Sequence, residues 1–278
     1  MTEIVRPEAR ALVVSSLRAG DRVLVTGSAG WFGITVAALL HGTPHPVMFL
    51  TQNARRVPYP AGEFDAVAWD HDAVRDFAPT VVIDCAFILR DYIAAMPLDE
   101  YFHANTVLTS RLLQLTMLDS VRAIVSVSSG AAVHPVDAAS VDADLNPYGY
   151  LKRQTELAVT RLGDETATHV VVARPWSLSG TLVTRPHRYA FSDLILRSRT
   201  DSIEIQATHE VWRRYVGVDD FFAVSLATAT AGNAVINSGG ELVEFSDLAK
   251  IISATLGSAA PITRPALSGD PADDYYTR

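Results

Sequence analysis

The chain of 278 residues holds one cysteine, Cys85, which rules out an internal disulfide and a cysteine-rich zinc site. A reducing, intracellular setting fits. No apolar run reaches the ~18 residues that a membrane span requires. The opening MTEIVRPEAR has neither the unbroken apolar core nor the small-residue cleavage site of a secretory signal. The expectation is a cytoplasmic protein with no membrane partner. Positive charge is short too: 23 Lys and Arg against 31 Asp and Glu give a formal net charge of -8, which disfavours a nucleic-acid partner. No His, Asp or Glu group has metal-site spacing, so no metal is expected, and no GxSxG elbow suggests a hydrolase. Internal repeats and low-complexity stretches are absent as well.

What remains is a chain 49% hydrophobic and 19% charged, suited to a single compact catalytic unit. Apolar runs at 23–26, 47–50, 81–83, 123–127 and 170–173 alternate with helical patterns. Their hydrophobicity is continuous, as in parallel strands covered on both faces. The reading is an α/β fold with a doubly wound parallel sheet and a small mixed C-terminal region. Residues 1–20 read as a helical extension, 21–174 as the core, and 175–278 as a smaller region interleaved with it.

Between the first strand and the first core helix stands VLVTGSAGWFG, with Gly27, Gly30 and Gly33. The first glycine permits a tight turn, the second lets backbone approach a pyrophosphate, and the third lets helix and strand pack closely. Helix-start N–H groups then face the phosphates. After the second strand comes LTQNARR, with Asn53, Arg55 and Arg56 and no carboxylate. An acidic residue there suits NAD and an arginine suits NADP, so NADP is favoured, with NAD possible.

Asn146 and Pro147 mark the start of a helix, read as ending at Gly163, that carries Tyr148 and Lys152 four residues apart on one face. An ammonium beside a phenol favours the anion, so the pair can move a proton near neutrality. Hydride transfer to a carbonyl needs such a partner.

TGSAGWFG, SVSSGAAVHP, YGYLK and VVARPWSLSG together resemble the extended short-chain dehydrogenase/reductase family, in its branch of nucleotide-sugar epimerases, dehydratases and reductases. The resemblance implies a Rossmann-type doubly wound sheet of about seven strands, with 21–174 as the dinucleotide-binding core and 175–278 as a small mixed substrate-binding region, a bound nicotinamide dinucleotide and a homodimer. It implies Tyr148 as proton donor or acceptor and Lys152 on the nicotinamide ribose. It also implies Trp31, Phe32, Asp70, Ala86 and Pro175 at the cofactor, and Ser129, with Ser128 in reserve, at the substrate. Arg185, His187 and Arg213 lie where the family binds substrate. Two positions depart from the family pattern: Asp84 stands in place of a usual His, and Gly130 and Ala131 stand where dehydratases carry an Asp–Glu pair, which disfavours dehydration. Cys85 reads as a packing residue. The first expectation is an NAD(P)-dependent oxidoreductase or epimerase acting on a nucleotide-linked sugar. The alternatives are a reductase of a small carbonyl compound and a non-catalytic dinucleotide-binding regulator.

Overall fold

Strands made of consecutive apolar residues must be covered on both sides, and the computed structural model, which describes residues 4–133, 142–199 and 202–274, shows how. In chain order the elements are α1 (Pro7–Ser16), β1 (Val23–Thr26), α2 (Trp31–Leu40), β2 (Val47–Thr51), β3 (Arg55–Tyr59), β4 (Gly62–Ala68), α3 (His71–Phe77), β5 (Val81–Asp84), α4 (Leu98–Thr116), β6 (Ala123–Val127), α5 (Pro147–Thr166) and β7 (His169–Arg174). There follow β8 (Leu178–Ser179), α6 (Ala190–Arg197), β9 (Ile203–Glu204), β10 (Trp212–Gly217), α7 (Val218–Ala231), β11 (Ala234–Asn237), β12 (Glu241–Glu244), α8 (Phe245–Leu256) and β13 (Ile262–Thr263).

The chain divides into two units, the first made of Met1–Pro175 and Asp219–Asn237. Its sheet has eight strands in the order β11-β7-β6-β5-β1-β2-β4-β3, parallel except for the β3–β4 pair. The eighth strand, beyond the seven or so implied by the resemblance, comes from the β3–β4 hairpin. Strand order reverses between β1 and β5, which places a binding crevice outside their C-terminal ends. Leu24, Leu50, Val82, Leu112, Ile124 and Val170 are among the core residues of this unit.

Helix α2 has nine of its ten residues buried, because it is covered on its outer side as well. Helix α1 packs on it, and Phe32 meets Phe222 of α7 edge-on, with ring centroids 5.5 Å apart. The backbone N–H of Arg6, just before α1, donates to Asp219 at the start of α7.

Helix α5 starts as expected, with the Asn146 side chain accepting from Gly149 N–H at 2.9 Å. It does not stop at Gly163. It runs to Thr166 and ends on Ala167, whose φ of 57° places it in the left-handed region. Gly163 serves packing instead, since a Cβ there would lie 2.4 Å from Cγ2 of Val170.

The second unit, Trp176–Val218 and Ser238–Arg278, has a three-stranded sheet in the order β12-β10-β8 and a β9–β13 pair. Its core gathers Leu194, Ile203, Ile205, Leu248 and Ile252.

Candidate functional site

The turn after β1 is shaped by close approach. Gly27 has a φ of 60°, and a Cβ there would lie 2.7 Å from the backbone of Cys85. A Cβ on Gly33 would stand 2.3 Å from Cα of Ser28, so α2 can lie against the turn only with glycine at that position. Gly30 is different. Its nearest foreign atom would be 3.5 Å away, leaving room for a ligand to approach. Gly30 is the N-cap of α2 and no side chain among the described residues caps the helix, so its first turn can offer backbone N–H groups to an anion. A dinucleotide pyrophosphate fits these features.

Beside this turn, Thr26 Oγ1 donates to Asp84 Oδ1 at 2.5 Å and accepts from the N–H groups of Cys85 and Ala86, each at 3.1 Å. The end of β5 is thereby tied to the end of β1. The following residues are braced from α4: Asn105 Oδ1 accepts from Ile88 N–H at 2.8 Å, and the Tyr101 hydroxyl donates to Ile88 O at 2.9 Å. Burial raises the Asp84 carboxyl to about 6, against opposing pulls from Thr26, Lys152 and the Ala86 N–H. Burial also pushes the Cys85 thiol far up, leaving it inert.

A cavity of about 410 Å³ opens here, lined in part by Gly27, Thr51, Gln52, Trp69, Phe87 and Arg111. Asp84 and Ala86 border it as well. The Arg111 guanidinium lies over the Trp69 ring, 5.3 Å from its centroid. Trp69, Arg111 and Gln52 were not anticipated. Trp69 at the end of β4 had a visible cue in its place beside Asp70, whereas Arg111, in the middle of α4, had none.

Tyr148 and Lys152 lie in the first two turns of α5, Tyr148 half-buried and Lys152 buried. The Tyr148 ring meets Phe87 edge-on, with centroids 5.6 Å apart and planes at 83°. Lys152, 5% exposed, donates to Val127 O at 2.7 Å and holds Nζ 3.8 Å from the centroid of the same Phe87 ring. Burial lowers the Lys152 ammonium to about 8, and the charge of Asp84 works against that fall. Both members of the pair therefore meet the segment that borders the cavity.

Ser129 stands at the end of β6. Its Oγ accepts from Ala131 N–H at 3.2 Å, so its proton is available to another oxygen. Asn146 Nδ2 donates to Ala131 O at 3.2 Å, which ties the start of α5 to the Ser129 turn. Ser128 turns inward and donates to Glu156 Oε1 at 2.5 Å. Glu156 also receives a two-pronged contact from Arg174, at 2.6 and 2.8 Å, and one from Arg153 at 3.0 Å. Pro175 O accepts from Gly130 N–H.

The remaining expected residues are placed as follows. Asn53 is exposed in the turn before β3, and its carbonyl accepts from Thr51 Oγ1. Arg55 and Arg56 lie on β3 rather than in a loop; Arg56 pairs with Glu63 at 2.5 Å and Asp65 at 3.3 Å. Asp70 caps α3 by accepting from Ala73 N–H at 2.8 Å. In the second unit, Arg185 precedes a short 3-10 turn, and His187 within that turn meets Asp193 at 3.1 Å. Arg213, on β10, pairs with Asp273 at 2.6 Å.

Residues 23–239 match the family described as the NAD dependent epimerase/dehydratase family. Among solved structures, the chain is similar to a UDP-N-acetylglucosamine 4-epimerase from Methanobrevibacter ruminantium in complex with UDP-N-acetylmuramic acid. That likeness has a TM-score of 0.72 at 16% identity and covers 93% of this chain and 89% of that one. A UDP-glucose 4-epimerase from Brucella ovis in complex with NAD gives a TM-score of 0.69 at 18% identity, covering 93% and 90%. One from Thermus thermophilus, also with NAD, gives 0.67 at 21%, covering 90% and 88%. At these identities the likeness is one of fold. No curated protein matches the chain.

Proposed function

Because the chain belongs to the NAD dependent epimerase/dehydratase family over residues 23–239, we propose that it performs hydride exchange at a sugar carbon of a nucleotide-linked sugar, by reduction or epimerisation. One observation carries this reading: Tyr148 and Lys152 both meet Phe87, at the border of the cavity that Gly27 lines. A proton-moving pair and a phosphate-binding turn thus converge on one place. The neighbours crystallised with NAD or a UDP-sugar support the choice of ligands.

A nicotinamide dinucleotide held by Gly27, Gly30 and the first turn of α2 would accept or deliver the hydride. The chain's own residues do the rest. Tyr148 exchanges the proton of the reacting hydroxyl, and the Lys152 ammonium favours its phenolate form. Ser129, with its own oxygen already engaged by Ala131 N–H, donates its proton to the reacting oxygen. Asn146 keeps these groups in register by capping α5 and holding Ala131 O.

NADP is the proposed dinucleotide, because no carboxylate ends β2 and Arg55 stands just beyond it without an ion pair among the described residues. The engagement of Arg213 by Asp273 favours a second reading, reduction of a small carbonyl compound, since that guanidinium is already neutralised.

Assays separate these readings. Interconversion of UDP-sugars without net cofactor change supports epimerisation, and NADPH oxidation driven by a 4-keto nucleotide-sugar supports reduction. Turnover of small carbonyls alone moves the choice to the second reading. Tyr148→Phe should lower kcat by about 10²- to 10⁴-fold with little change in melting temperature; undiminished turnover in that variant defeats the mechanism.

A further inference from the structure

Lys152 is a buried ammonium whose contacts are a carbonyl, Val127 O, and an aromatic face, Phe87, with no carboxylate in ion-pair range among the described residues. Such a charge is costly unless the surroundings hold it. The ionisable groups around it are Asp84 and Cys85 from the end of β5, where Asp84 pairs with Ser126, the residue before the Val127 whose carbonyl receives Nζ, and Glu156 from its own helix. Glu156 is already shared by Arg174, Arg153 and Ser128. The Cys85 thiol is kept neutral by burial, and so is the Tyr101 phenol, behind the same segment. Asp84 is the remaining source of negative charge. Its hydrogen-bond partners, the Thr26 hydroxyl and the Ala86 N–H, are neutral, so its charge is not cancelled locally.

We infer that Asp84 is a positioning residue for the reaction: its carboxylate, together with the ring face of Phe87, holds Lys152 as an ammonium at the cofactor cavity. The segment 84–87 thereby sets the charge that sharpens Tyr148, a role that rests on the function proposed above. The two charges coexist between about 6, below which Asp84 takes up a proton, and about 8, above which Lys152 gives one up. Removing the carboxylate makes the ammonium easier to deprotonate, because an opposite charge favours the charged form.

The chain has two lysines, Lys152 and Lys250, so protein with carbon-13 in its lysine side chains shows two Cε resonances. Lys250 is exposed and serves as internal reference, and Lys250→Arg assigns the pair. In the cofactor-free protein, Lys152 should titrate with a midpoint near 8 and a smaller inflection near 6 from Asp84. Asp84→Asn should abolish the inflection and lower the midpoint by about 1 unit. Phe87→Leu should lower the midpoint and keep the inflection. In turnover, Asp84→Asn should lose the acidic limb of the kcat profile. A folded Asp84→Asn protein with an unchanged midpoint overturns the inference. So does a wild-type titration with no inflection near 6, a result that stands even if Asp84→Asn fails to fold. Correct titrations in a protein that turns over no sugar would count against the functional proposal alone.

Discussion

Arg55 and Arg56 are neighbours in the chain and point to opposite faces of β3. Arg56 is engaged by Glu63 and Asp65. Arg55 shares a face with Val57, and the pairing of Arg55 and Phe49 with the same Ala66 puts it on the face that carries Phe49. That is the side on which Ala37 and Leu40 of α2 lie, the helix that leads away from the phosphate-binding turn. Arg55→Ala should therefore lower the preference for NADP over NAD, read as a ratio of kcat/KM values, by about 10-fold. Arg56→Ala should leave the ratio unchanged, and equal effects from both would remove Arg55 from the cofactor. Residues such as Gly27, Gly33, Tyr148 and Lys152 were legible in the sequence because each belongs to a short local pattern. The contact of Arg111 with Trp69, and of Lys152 with Phe87, was not, because strand order rather than sequence spacing brings those side chains together.

At the scale of elements, Gly163 shows how a residue that normally ends helices can sit inside one. The expectation that α5 stops there followed from glycine's usual place past a C-terminus. The demand that overrode it is tertiary: α5 crosses β7 so closely that Val170 occupies the space of a Cβ. Val170 is buried and β-branched, so it cannot swing aside. Gly163→Ala should lose about 1–3 kcal/mol to overpacking, outweighing the ~1 kcal/mol gained in helix propensity. Adding Val170→Ala should recover part of that loss, and urea unfolding of the single and double variants measures both. The β3–β4 hairpin escaped sequence reading for a related reason. Arg55, Arg56, Glu63 and Asp65 look like a solvated loop, yet charged side chains are what an edge strand uses to refuse further pairing.

At the scale of the whole molecule, each unit has a buried carboxylate clasped by arginine. In the first, Asp21 meets Arg122 at 2.5 Å and Thr80 at 2.8 Å. In the second, Glu244 meets Arg264 at 2.8 Å and accepts from Val211 and Ser246 N–H. Burial alone would raise both carboxyls, but hydrogen bonds to arginine and backbone win, and both are held below their ordinary values. A folded value below the unfolded one stabilises the protein above the unfolded value and loses that contribution as pH falls through the folded one. Melting temperature should therefore drop on acidification below about pH 4, and Asp21→Asn should flatten that dependence while destabilising the protein at pH 7. An unchanged slope in thermal melts would dismiss the Asp21 clasp as a source of acid sensitivity. Alternation of strands and helices made the class of fold readable. The placing of β11 beside β7 was hidden, since continuous hydrophobicity marks a strand for burial without saying which edge it joins.

Helix α1 touches no reacting group, yet it roofs α2, whose first turn offers its amides to the phosphates. Loosening that roof would wet the apolar back of α2 and let its first turn wander. A change made at the front of the chain would then be felt as weaker grip on a nucleotide it never meets.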